Sequence, residues 1–142
     1  MSFLLAAALI VPAGETFVCT PTRVWDGDGP IWCEEGPKVR LTGIATREID
    51  NTCQKTQPCP TGDAVEARDY LVRLVGEKVG QAGRHILVAG PPMRCVSTGG
   101  SYERTNAWCV SPKGGDLSCA MVATAYALRW ERFWKEHTCP VN

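Results

Sequence analysis

The sequence predicts a small, disulfide-stapled α+β domain built on an antiparallel sheet. Three observations carry that expectation. β-like runs are broken by Asp-Gly and Gly-Pro turns, two stretches with helical spacing follow them, and eight cysteines fall within 142 residues. The order is strands, helix, strands, helices, without repeats or linkers, so a single domain is expected.

The first thirteen residues, MSFLLAAALIVPA, are apolar and end in Val11-Pro12-Ala13. This is the pattern of a secretory signal peptide, although the usual positive start is missing, and a first strand is the other reading. Residues 14–142 then form the mature domain. No other segment approaches the ~20 apolar residues of a membrane span, so the mature protein is expected to be soluble, outside any membrane, and a monomer.

TFVCTPTRVW reads as a strand, DGDGP at residues 26–30 as a hairpin turn, IWCEE as a second strand, and KVRLTGI, after Gly36-Pro37, as a third. Residues 51–62 are polar and cysteine-pinned, hence a loop. DAVEARDYLVRLVG repeats Ala64, Ala67, Leu71, Leu74 and Val75 at helical spacing, with Thr61 as N-cap and Gly76 as stop. HILVAG, MRCVS and TNAWCV are strand-like. Asp116 is the expected N-cap of a second helix, LSCAMVATAYALRW, which ERFWKEH extends or follows.

Cys19, Cys33, Cys53, Cys59, Cys95, Cys109, Cys119 and Cys139 are an even set beside a leader, which reads as a disulfide framework in an oxidising compartment, secreted or periplasmic. Zinc is the rival, but there is no C-x-x-C pair and His85 and His137 stand alone. Spacing suggests Cys19–Cys33, Cys95–Cys109, Cys53–Cys59 and Cys119–Cys139 among the 105 pairings that eight cysteines permit. Net charge is zero with a pI of about 6.7, which argues against a dedicated nucleic-acid binder while leaving room for a local basic patch.

Chemistry-bearing residues are few and individually bland. Asp26 and Asp28 sit in the first hairpin turn, where aspartate is an ordinary turn residue. Arg40 opens VRLTGIATREID and Glu48 stands past its end; SYERTNAWC places Tyr102 and Arg104 before another strand.

Taken in order, these pieces resemble the staphylococcal-nuclease-like (thermonuclease) family. The pattern is a DGD turn, a strand R-L-x-G-I leading to a glutamate, a helix A-x-x-x-L-x-x-L, Y-x-R entering a strand, and a D-L-x-x-x-M-V helix. It runs from about Phe17 to about Trp134. The resemblance implies a five-stranded OB-type β-barrel with three helices and hydrolysis of phosphodiesters in DNA or RNA by water, with calcium. It implies Arg40 and Arg104 as a clamp on the developing phosphorane charge, and Glu48 as general base. Tyr102 would hydrogen-bond a phosphate, and Arg47, a departure from the family, would add a positive charge close to where the ion would sit and so count among the substrate-binding residues. Trp130 would stack on a base, although core packing is the blander reading of that ring. Asp28, the Thr46 carbonyl and Asp26 would be what remains of the calcium site, with Glu48 reaching it through water.

The chain departs from the family where calcium should bind. The family pattern G-I-D-x-P-E reads G-I-A-T-R-E, so Ala45 replaces a ligating aspartate and Arg47 a proline. DGDT has become DGDG with Gly29, and the glycine of Y-G-R is Glu103. Loss of one of two direct carboxylates weakens a calcium site. Three readings follow: a phosphodiesterase using weakly held calcium, another ion or Arg47; a barrel that binds single-stranded DNA, RNA or another ligand without cutting it; and a stapled envelope protein that keeps only the fold.

Overall fold

Residues 10–141 are described by a computed structural model. Positions 1–9, most of the expected leader, lie outside the described residues. Next to them, Val11 is tied into the domain: its N–H donates to Thr105 Oγ1 at 3.0 Å and its carbonyl accepts from Ser97 Oγ at 2.7 Å.

The expected first strand divides at Thr20 into β1 (Thr16–Cys19) and β2 (Pro21–Val24), which pair with different neighbours. β3 (Ile31–Cys33) and β4 (Lys38–Leu41) complete an antiparallel meander with β2, and a short β5 (Ile44–Ala45) follows. α1 (Ala64–Val75) begins at Asp63 rather than Thr61. Asp63 accepts from Glu66 N at 3.0 Å, and Asp63 with Glu66 is the spacing of a capping box. Its buried stripe is Ala64, Ala67, Leu71, Val72 and Val75, packed on β2 and on the hairpin of β6 (Glu77–Ala82) and β7 (His85–Ala89). β8 (Met93–Ser101), β9 (Arg104–Ser111) and β10 (Gly115–Asp116) lead into α2 (Leu117–Val122); β11 (Leu128–Arg129) and α3 (Glu131–Trp134) end the chain.

The architecture is α+β, as expected, with three helices and a curled sheet. The strand count is not the expected five. Nine strands share one sheet, with β1-β8-β9-β4-β3-β2-β7-β6 as its order and β10 on β9, and β5 pairs with β11 apart from it. The sheet is also mixed rather than antiparallel, because β4 runs parallel to β9. Irregular registers in β2–β3, β6–β7 and β8–β9 bend the strands, as bulges do.

The second helix stops at Val122 instead of running to Trp130. The Thr124 hydroxyl donates to the Met121 carbonyl at 2.6 Å, and the following residues cross to pair Leu128 with Ala45. The disulfides join Cys19 to Cys33, Cys53 to Cys59, Cys95 to Cys109 and Cys119 to Cys139, the pairing that spacing suggests.

Candidate active-site cleft

Alternation along β9 buries Thr105, Ala107 and Cys109 and turns Arg104, Asn106 and Trp108 to the opposite face. Arg40 is in register with Asn106 on the adjacent parallel strand, so Arg40 and Arg104 share one face of neighbouring strands. Strand geometry places their Cα atoms roughly 8 Å apart, within reach of one phosphate for two long side chains. That face is the floor of a cleft of about 840 Å³. The turn at residues 25–30 forms one wall, the segment from Trp130 to His137 another, and Glu48 with Gln54 and Gln57 a third.

Seven of the nine sequence-predicted site residues line this cleft: Asp26, Asp28, Arg40, Glu48, Tyr102, Arg104 and Trp130. Arg40 Nη2 donates to Asp28 Oδ2 at 3.0 Å, and its guanidinium lies 5.6 Å from the Trp130 ring centre. Trp130 is further flanked by Phe133 at 4.7 Å, so Arg40 and Phe133 already pack on its ring. Glu48 Oε1 accepts from Gln54 Nε2 at 2.7 Å, and Gln57 braces Gln54 in turn. Arg104 is exposed and makes no ion pair among the described residues.

Arg47 and Thr46 are not brought to the cleft. Arg47 straps the cysteine-pinned loop: Nε donates to the Pro60 carbonyl at 2.9 Å and Nη1 to that of Asn51 at 2.7 Å. The Thr46 side chain is buried, and its hydroxyl has no hydrogen-bond partner among the described residues.

Asp26 is buried, and that burial together with the negative charge of Asp28 raises its carboxyl well above the ordinary 3.8. Gly29 has φ +106, and a Cβ there would lie 2.5 Å from the Val39 carbonyl, so the hydroxyl residue of the family pattern has no room. Gly43, at φ +81, leaves space for Trp108, whose ring a Cβ would meet at 2.7 Å.

Calcium needs several oxygen ligands at about 2.3–2.6 Å. The residues present do not fit it. Ala45 offers no donor, and Asp28 is ion-paired with Arg40 at 3.0 Å. Among the described residues, only Asp116, Cys119 and His137 bring three ligating atoms within 4.8 Å of one another. Cys119 is bonded to Cys139, so that group has no thiolate to offer in the oxidised protein.

His137 lines the cleft without any sequence motif to mark it. Its Nε2 lies 2.7 Å from Asp116 Oδ2, and its ring stacks on Trp108 with centres 3.6 Å apart and planes at 4°. Both contacts are long-range, and the one sequence signal was Asp116 as a cap. The chain matches no protein-family model, no curated protein and no solved structure.

Proposed function

We propose that the chain is a secreted or periplasmic phosphodiesterase, with an OB-type barrel of the staphylococcal-nuclease kind, that hydrolyses single-stranded DNA or RNA. The single supporting observation is that Arg40, Glu48 and Arg104 line one cleft. The four disulfides, each with at least one buried or half-buried cysteine, suit an oxidising compartment. Among the described residues no helix is long and apolar enough to cross a membrane.

In this reading a phosphodiester lies between the two guanidiniums, whose planar forks bond its non-bridging oxygens and oppose the charge gained in the transition state. Glu48, aimed by Gln54, takes a proton from water as the water oxygen bonds to phosphorus and the P–O bond to the leaving oxygen breaks. A base so placed contributes about 10²–10⁴ in rate. Tyr102 donates its hydroxyl to the phosphate. Arg40 must exchange Asp28 for substrate, so phosphate binding and release of that ion pair are one event.

The cleft also presents the partly exposed rings of Trp25, Tyr102 and Phe133, and this favours a second reading: a stacking site that holds a single strand without cutting it. Labelled single-stranded DNA and RNA, incubated with parent and Glu48→Gln protein in calcium, manganese or chelator, separate the two. Cleavage by the parent that Glu48→Gln lowers by 10² or more supports hydrolysis. Binding without cleavage under every condition, equal in both proteins, sinks hydrolysis and leaves the binding site.

A further inference from the structure

Beside the cleft, and sharing Trp25, Pro30, Tyr102 and Arg104 with it, runs a second groove of about 300 Å³. Trp32, Lys38, His85 and Glu103 complete its lining. These residues come from the same sheet face as Arg40. Trp32 is paired in register with Arg23 on one side and Lys38 on the other, and both cations sit over its ring, at 4.7 and 4.4 Å from the centre. Neither cation makes an ion pair among the described residues. Lys38 is therefore aimed by an aromatic ring and has no ion-pair partner among the described residues, which leaves its ammonium open to an anion.

Two further observations point to the ligand. Tyr102 is 92% exposed, at the tip of the β8–β9 hairpin, where it and Glu103 both hold left-handed backbone (φ 51 and 65). An aromatic ring so presented is an open stacking surface. His85 is wedged between Trp25 and Trp32, each 4.9 Å away, and its buried Nδ1 has no hydrogen-bond partner among the described residues. Burial and the charges of Arg23 and Lys38 lower its pKa, so it packs as a neutral ring that holds Trp25 and Trp32 in place rather than as a third cation.

We propose that this groove is a second nucleotide subsite. A base stacks on Tyr102 and Trp25, its phosphate meets Lys38, and Arg104 marks the crossing from the cleft. Continuity with the cleft makes the occupant the next nucleotide of a single strand rather than a separate small molecule; a duplex would bury these base faces in its own stack. The inference rests on the cleft being a nucleic-acid site and is independent of whether the strand is cut.

The test is binding of a fluorescein-labelled thymidine octamer and of the dinucleotide pdTpdT, in chelator, to parent, Lys38→Gln and His85→Ala proteins whose folding is checked by circular dichroism. Each variant is expected to weaken the octamer about tenfold and to leave the dinucleotide, which fills only the cleft, within twofold. Lys38→Gln should also flatten the salt dependence of octamer binding by about 0.7 in log–log slope, the loss of one single-strand phosphate contact. Octamer affinity within twofold of the parent in both variants overturns the subsite, as does equal weakening of both ligands. If the parent cuts the octamer and both variants match its kcat/KM, hydrolysis stands and the subsite falls. If the variants weaken binding but the parent cuts nothing, in chelator or with calcium or manganese added, the subsite stands and hydrolysis falls.

Discussion

Arg40 Nη2 donates to Asp28 Oδ2 at 3.0 Å and lies 3.5 Å from the Ile44 carbonyl oxygen, so the central cation of the cleft is held by the protein itself. Asp28→Asn keeps the acceptor and removes the charge. The variant is expected to lose about 1–2 kcal/mol of stability, the difference between a charged and a neutral hydrogen bond. Oligonucleotide affinity should rise several-fold, because phosphate no longer competes with a carboxylate. Thermal melts and fluorescence anisotropy read the two effects.

Asp26 titrates in the opposite sense from a stabilising ion pair. Its folded pKa is raised, so the native state holds the proton longer than the unfolded chain does, and the stability this confers is lost as pH climbs above 3.8. Asp26→Asn removes this titration. Urea unfolding from pH 4 upward should show the variant gaining on the parent by up to about 1.4 kcal/mol per pH unit until the folded group has ionised.

Arg47 acts on Glu48 through the loop it straps. Arg47→Ala releases the Pro60 and Asn51 carbonyls, and Glu48 loses the fixed position of Gln54. Under the proposed hydrolysis, cleavage should fall about tenfold or more in kcat with KM nearly unchanged. A raised KM with kcat intact would mean that Arg47 binds substrate after all.

Glu103 occupies a backbone conformation that favours glycine, at φ 65, and puts a negative charge in the second groove. Glu103→Gly is expected to tighten oligonucleotide binding several-fold and to raise stability by up to about 1 kcal/mol, less the backbone entropy that glycine brings to the unfolded chain. Weaker binding in this variant would count against the groove's charge argument.

His137 anchors the wall that follows α3. His137→Ala removes the Asp116 contact and the Trp108 stack together, and about 1–2 kcal/mol should be lost. Limited proteolysis should then cut between Glu131 and Val141 before it cuts the sheet.

What the sequence made legible was local. The Asp-Gly turn, the apolar stripe of α1 and the facing cysteines of β8 and β9 are short-range signals, and each is where spacing put it. β6 was missed because EKVGQA is exposed or half-exposed throughout and so lacks the alternation that marks a strand. The parallel β4–β9 pairing joins distant segments and leaves no periodic trace. TAYALRW looks helical by composition, yet its partner is β5, which no local rule can name. The same division holds in the cleft: the order of motifs pointed to Arg40, Glu48 and Arg104, whereas Gln54, Trp108 and His137 enter only through folding.

Two of the disulfides, Cys19–Cys33 and Cys95–Cys109, are buried on both sides, while Cys53–Cys59 and Cys119–Cys139 each have one exposed member. The buried pair sits in the sheet; the accessible pair fastens the loop behind Glu48 and the segment that carries His137. Mild thiol treatment would therefore dismantle the cleft walls while leaving the sheet intact. Material purified from a reducing host can look folded by circular dichroism and still lack its working surface, so a free-thiol count belongs beside every assay of this protein.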